Sequence, residues 1–190
     1  ICENINHISI KDIDFSSIRF GVETAFNDLR NGGKRVIFNT KWLSGLNPIQ
    51  INGLIWMGNY SEMLNRLHEK LEQGFNCIKL KIGGIDFNKE LKILKHIRSD
   101  FSADDLQLRL DANGAFTPNN ALEHLERLYK YKIHSIEQPI KQNQWDKMAV
   151  ICKNSPIPIA LDEELIGINN FEQKIELIET IRPAYLILKP

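Results

Sequence analysis

From Ile51 onward the apolar residues follow two rhythms in turn, period two over five or six positions and then helical spacing over ten to fifteen, and the alternation repeats about every 25 to 30 residues. Residues 51–57 predict a strand and Gly58-Asn59 a turn. Ser61 then caps a helix whose apolar face is Leu64, Leu67 and Leu71 and which Gly74 closes. Residues 76–82 predict a second strand, and residues 86–99 a helix with Phe87, Leu91, Leu94 and Ile97 inward. Residues 106–111 predict the third strand; Thr117 as cap and Pro118 in the first turn begin a helix with Ala121, Leu122, Leu125 and Leu128 on one face. The same reading gives strands at 133–137, 157–162 and 184–189, with helices at 144–153 and 171–179.

The first part of the chain is less regular. Residues 1–19 carry no clear period, although Ile18, Val22, Ala25, Phe26 and Leu29 predict a helix over 17–29 that Asn31-Gly32-Gly33 stops. Residues 34–48, with Gly45 and Pro48, read as a boundary, so the domains divide as 1–48 and 49–190. Strands alternating with helices imply βα units around a parallel sheet. Two architectures fit, a doubly wound open sheet or a (β/α)8 barrel of which about six units are present. The nucleotide-binding version of the open sheet loses its main support, because Ile55-Trp56-Met57-Gly58-Asn59 is not G-x-G-x-x-G.

Composition narrows the partners. Lys and Arg number 24, as do Asp and Glu, and the formal net charge of zero gives no support for nucleic acid or an anionic membrane. No apolar run approaches the roughly 20 residues that span a bilayer. Cys2, Cys77 and Cys152 stand in no metal-ligand spacing, and a reduced, cytoplasmic setting is the default. The chain opens on Ile1-Cys2-Glu3 and ends on Lys189-Pro190 just after an apolar run, so it reads as a piece of a longer protein, and this piece alone is expected to be inactive.

The chemistry gathers at the strand ends. Lys81, Asp111, Glu137, Asp162 and Lys189 close five consecutive predicted strands, at separations of 30, 26, 25 and 27 residues. Counting back by two places Arg109 and Gln107 on the face of Asp111, Ala160 and Pro158 on that of Asp162, and Ile187 and Tyr185 on that of Lys189. Leu106, Leu108, Leu110, Ile157, Ile159, Leu161, Leu186 and Leu188 fall on the opposite faces, which suit packing against helices. In a barrel the charged face is the interior, and its residues converge at the mouth where such barrels carry their active sites.

Within the second strand, Lys79 and Lys81 share a face with Cys77. They are either a solvated edge or a buried pair in which like charge and desolvation lower one pKa enough to make a base. Asp111, Glu137 and Asp162 together suit a hard divalent cation with oxygen ligands, and leave room for a substrate carboxylate. Each alone also fits a helix cap or loop residue. Lys81 and Lys189 then flank a substrate carbon. Glu163 is the one substitute ligand, and Asn113 either a turn residue or a contact to ligand-shell groups.

These residues resemble a known family. Lys79-Leu80-Lys81 as a K-x-K motif, Asp111-Ala112-Asn113-Gly114-Ala115-Phe116, Glu137-Gln138-Pro139, Leu161-Asp162-Glu163 and Leu188-Lys189-Pro190 resemble the muconate-lactonizing subgroup of the enolase superfamily. The resemblance covers roughly residues 17–190, and within the subgroup the chain is most similar to the o-succinylbenzoate synthases of menaquinone biosynthesis. Residues 51–56 and 159–165 look most like those of Bacteroides-type bacteria. It implies an incomplete TIM-type barrel, truncated after strand six and preceded by the tail of an α+β capping domain. It implies Mg2+, with Mn2+ as a substitute, held by Asp111, Glu137 and Asp162. Lys81 would take the proton α to the carboxylate of a small-molecule substrate and return it to the departing hydroxyl in a syn elimination of water. Lys189 would face the intermediate as a cation, and Lys79 would assist Lys81. Lysine bases with magnesium are a recognised pattern of this superfamily.

The alternatives are N-acylamino acid racemase or dipeptide epimerase activity of the same subgroup, and an inactive barrel fragment. Glu164 replaces a serine often seen in the family and touches no assigned role. His68, His96 and His124 read as surface residues and Trp56 as core.

Overall fold

The computed structural model describes residue 13 and residues 15–189. Readings made above for Cys2 and Pro190 lie outside the described residues. The chain divides into two compact units, one containing the described residues up to Gln50 together with Lys189, the other Ile51–Leu188.

In the first unit, α1 (Ser16–Arg30) forms where the helical spacing predicts it, and Gly32 and Gly33, at φ 88° and 68°, turn the chain back on its last carbonyls. None of its residues is buried, and Ile18 and Leu29 remain exposed.

The second unit is a run of βα steps. In order it comprises β1 (Gly53–Ile55), α2 (Tyr60–Glu72), β2 (Cys77–Lys81), α3 (Phe87–Asp100), β3 (Gln107–Asp111) and α4 (Ala121–Tyr129). There follow β4 (Ser135–Glu137), α5 (Trp145–Asn154), β5 (Ile159–Leu161), a 3-10 turn at Glu163–Leu165, α6 (Phe171–Ile181) and β6 (Tyr185–Leu186). The sheet order is β1-β2-β3-β4-β5-β6 and every neighbouring pair is parallel. A doubly wound sheet reverses its order at a switch point, whereas a barrel wall adds each strand beside the last. Of the two architectures, the sequential order is that of the barrel.

Strand parity holds in β2 and β3; β4 and β5 are buried at every position, and Leu186 and Leu188, expected to pack against helices, are instead 37% and 77% exposed. Ile78, Leu80, Leu108, Leu110, Ile136 and Leu161 are buried on the helix side, against Met63, Leu67, Leu94, Ile97, Leu125, Leu128, Met148 and Ile151. Leu108 is 0% exposed, in a core too dense to close over a missing side chain. Leu108→Ala is therefore expected to cost about 2–5 kcal/mol, read as a lower urea midpoint at unchanged slope. A loss below about 1 kcal/mol would contradict this packing.

Element starts moved for identifiable reasons. Asn59, not Ser61, caps α2: its Oδ1 accepts from the Glu62 N–H at 3.0 Å, and Glu62 Oε2 accepts from the Asn59 N–H at 2.9 Å. Ser61 has Leu64 three residues on and cannot complete that reciprocal pair. Thr117 closes a separate turn with Asn120, whose Oδ1 takes the Thr117 N–H at 2.8 Å, so α4 begins only at Ala121.

Candidate metal and proton-transfer site

The ladder itself sets the charged side chains side by side. Lys81 pairs with Asp111 across β2 and β3, and Asp111 with Glu137 across β3 and β4, so all three stand in one row. Glu137 pairs with Ala160, which puts Asp162 two residues further along the β5 direction and on the same side. Asp111, Glu137 and Asp162 are 1%, 5% and 5% exposed, whereas Lys79 and Lys81 are half-buried. The solvated-edge reading of the lysines is thereby excluded.

Lys79 Nζ donates to Glu137 Oε2 at 2.6 Å and lies 3.2 Å from Asp111 Oδ2. Lys81 Nζ donates to the same Asp111 oxygen at 2.8 Å and to Asn113 Oδ1 at 2.6 Å. Two ammonium groups thus stand among the carboxylates. Burial pushes the Glu137 carboxyl up to about 7; the Lys79 hydrogen bond opposes this, and the charge of Asp111 and a contact with the Asp162 carboxyl reinforce it. For Lys79, burial alone would lower the pKa, but its bonds and charge interactions with Glu137 and Asp111 outweigh that and raise it. Lys79 is therefore not the member of the pair driven neutral, which agrees with its reading as the support of Lys81.

Among the described residues, no group of three or more His, Cys, Asp or Glu stands in a metal-holding arrangement, since Lys79 bridges Asp111 and Glu137. The chemistry of the donors nevertheless fits a hard divalent cation. All three are carboxylates with buried oxygens, they are crowded enough to hold Glu137 partly protonated near neutrality, and their present counterions are displaceable ammonium groups. Asp111, Glu137 and Asp162 could hold Mg2+ once Lys79 swings aside.

Of the other residues read from sequence, Asn113 and Glu163 stand where expected, whereas Trp56 and His124 do not. Asn113 sits at φ 44° and links Lys81 to Glu163, whose Oε1 accepts from Asn113 Nδ2 at 2.8 Å. Trp56, expected in the core, is 57% exposed, with the Lys81 ammonium 4.8 Å from its ring centroid. As the residue just past β1, it stands at the same end of the sheet as the charged groups, and the strand-end rule that found the carboxylates applies to it too. Glu90 is 1% exposed and accepts from the Gly83 N–H at 2.6 Å, tying down the loop after Lys81. Its spacing three residues after Phe87 and four before Leu94 marked it as inward-facing. His124 is not on the surface: its ring stacks on Phe87 at 4.0 Å and meets Phe116 edge-on at 4.7 Å, and burial lowers its pKa. His68 is exposed, as expected. Lys189 falls in the other compact unit.

Comparison with known proteins bears on this arrangement. Residues 62–179 match the family described as Enolase C-terminal domain-like. An o-succinylbenzoate synthase from Desulfotalea psychrophila is 50% identical over 176 residues, covering 93% of this chain and 48% of that protein. An L-Ala-D/L-Glu epimerase from Francisella tularensis subsp. novicida is 29% identical over 172 residues, covering 89% of this chain and 48% of its own length. The crystal structure of MenC from Desulfotalea psychrophila LSv54 superposes with a TM-score of 0.76 at 49% identity, covering 86% of this chain and 45% of that one. The chain spans about half the length of the curated relatives it matches.

Proposed function

The chain belongs to the Enolase C-terminal domain-like family, and from that premise we propose that it carries most of the active site of a Mg2+-dependent dehydratase forming o-succinylbenzoate from its cyclohexadiene carboxylate precursor. One observation carries the reading: a lysine pair on β2 hydrogen-bonded to buried carboxylates at the ends of β3 and β4. That is a proton-transfer group beside an oxygen donor set, as abstraction of a proton α to a carboxylate requires. The 50% identity to a protein named o-succinylbenzoate synthase supports the choice of substrate.

In this reading Asp111, Glu137 and Asp162 hold the cation, which when bound supplies stabilisation of the negative charge that develops on the substrate carboxylate. Lys81 takes the α proton, then gives it to the departing hydroxyl on the same face. Asn113 and Asp111 orient its ammonium through the bonds at 2.6 and 2.8 Å. Lys79 yields its contacts with Glu137 and Asp111 to the cation and assists Lys81 as a neighbouring positive charge. Among the described residues no helix is long and apolar enough to cross a membrane.

Epimerase relatives define the second reading, in which two lysines exchange the α proton on opposite faces. The full-length protein with Mg2+ is expected to convert the cyclohexadiene substrate to o-succinylbenzoate, followed by ultraviolet absorbance, and to leave L-Ala-L-Glu unepimerised by polarimetry. Epimerisation without dehydration would replace the first reading with the second. Absence of both would favour a non-catalytic barrel.

A further inference from the structure

Between the ends of β4 and β5 lies a buried polar clamp that no step of the proposed reaction uses. Gln138, directly after Glu137, is 0% exposed and holds φ 40°, in the left-handed region that a residue with a Cβ adopts only when its surroundings enforce it. Its side chain spans two strand ends. Oε1 accepts from the Asp162 N–H at 3.2 Å and from the Glu164 N–H at 3.3 Å, while Nε2 donates to the Ile140 carbonyl at 2.9 Å and to Glu164 Oε2 at 3.1 Å. Glu164, 3% exposed, uses its other oxygen to accept from the Asn143 N–H at 2.8 Å. Both side chains are thus bonded at each terminal oxygen or nitrogen, the condition under which a buried polar pair rigidifies its surroundings.

Backbone bonding between β4 and β5 runs as far as the Gln138 N–H, which donates to the Ala160 carbonyl at 2.9 Å. The β4–β5 pairing covers only Ile136 with Ile159 and Glu137 with Ala160, and β5 ends at Leu161, one residue short of Asp162. Beyond that point the Gln138 amide stands in for the next ladder bond. Glu164, from the 3-10 turn, braces the amide from the far side. We infer that Gln138 and Glu164 are a positioning pair that fixes the Asp162 carboxylate relative to that of Glu137, and thereby sets the affinity of the cation site. This rests on the assignment of Asp111, Glu137 and Asp162 as cation ligands. It also gives Glu164, unassigned from sequence, a role that a shorter serine could not fill by the same contacts.

The test is Mg2+ binding to the full-length protein by isothermal titration calorimetry, with wild type, Gln138→Ala, Glu164→Ala, the double variant and Glu164→Gln, each melted in parallel by circular dichroism. Each alanine variant is expected to bind Mg2+ about 10–100-fold more weakly, the usual effect of losing a group that orients a ligand. The double variant should be no weaker than the worse single one, because the two side chains act together. Glu164→Gln keeps one acceptor oxygen and should fall between wild type and Glu164→Ala. At saturating Mg2+, kcat should return toward the wild-type value. Lower melting temperatures with an unchanged Mg2+ Kd would overturn the inference, leaving a purely structural clamp. If the alanine variants do not fold, Glu164→Gln decides alone: weaker binding supports the pair, and wild-type Kd overturns it. Asp162→Asn separates the underlying assignment: if it binds Mg2+ as well as wild type does, the cation lies elsewhere and the pair's role goes with it.

Discussion

Lys81→Ala is expected to lower kcat by about 10⁴-fold, the upper end of what general acid–base groups contribute, because one side chain takes the proton as the neutral amine and returns it as the ammonium. The geometry says what should not change. Lys81 is bonded to Asp111 at 2.8 Å and competes with any cation for that oxygen, so its removal should leave Mg2+ affinity equal or stronger. KM should move little, since the lost interaction belongs to the transition state. Lys81→Arg sharpens the point: a guanidinium retains the charge but does not deprotonate in proteins, so it should be nearly as inactive as alanine. Stopped-flow or steady-state ultraviolet assays of the full-length protein read all three. Activity within tenfold of wild type in either variant would remove Lys81 from the role of base.

A second large effect concerns pH and metal together. Glu137 is buried, and its carboxyl stands at about 7 in the metal-free fold, above its ordinary 4.5. A carboxyl raised on folding favours the fold in its neutral form. That contribution is complete below pH 4.5 and is lost as pH climbs through 7, amounting to about 3 kcal/mol by linkage. The metal-free protein should therefore melt at a lower temperature at pH 8 than at pH 6 if this group dominates. A cation needs the ionised carboxylate and relieves its cost. Millimolar Mg2+ should accordingly raise the melting temperature more at pH 8 than at pH 6, and EDTA should reverse the gain. Glu137→Gln should flatten the pH dependence and abolish the Mg2+ response. An equal Mg2+ shift at both pH values, or an undiminished shift in Glu137→Gln, would contradict the placement of the cation at this carboxylate.

Much of this was legible from spacing alone. Strand parity placed Lys79, Lys81, Asp111, Glu137 and Asp162 on one face because a parallel sheet leaves little freedom: two residues per pleat, with the opposite face buried by helices. The same rule put Leu108 and Leu110 in the core. What periodicity could not weigh was competition among polar groups. Asn59 displaced Ser61 as a cap because Glu62 could reciprocate. Lys79 gained rather than lost basicity because two carboxylates outbid its desolvation. Gln138 and Glu164 were given no role from sequence since their bonds cross between strand ends far apart in sequence, and a left-handed glutamine carries no local signature. Trp56 was misassigned by composition: aromatic residues are usually buried, and only its place one residue past β1 pointed to the mouth.

The central claim is that three strand-end carboxylates hold a divalent cation with Lys81 beside the substrate carbon. A crystal structure of the full-length protein with Mg2+ and o-succinylbenzoate tests it most directly. The expected result is Mg2+ at about 2.0–2.1 Å from oxygens of Asp111, Glu137 and Asp162, with Lys79 withdrawn from Asp111 and Lys81 Nζ within contact of the carbon next to the carboxylate. A cation bound away from these side chains, or a product lying against neither lysine, would contradict it.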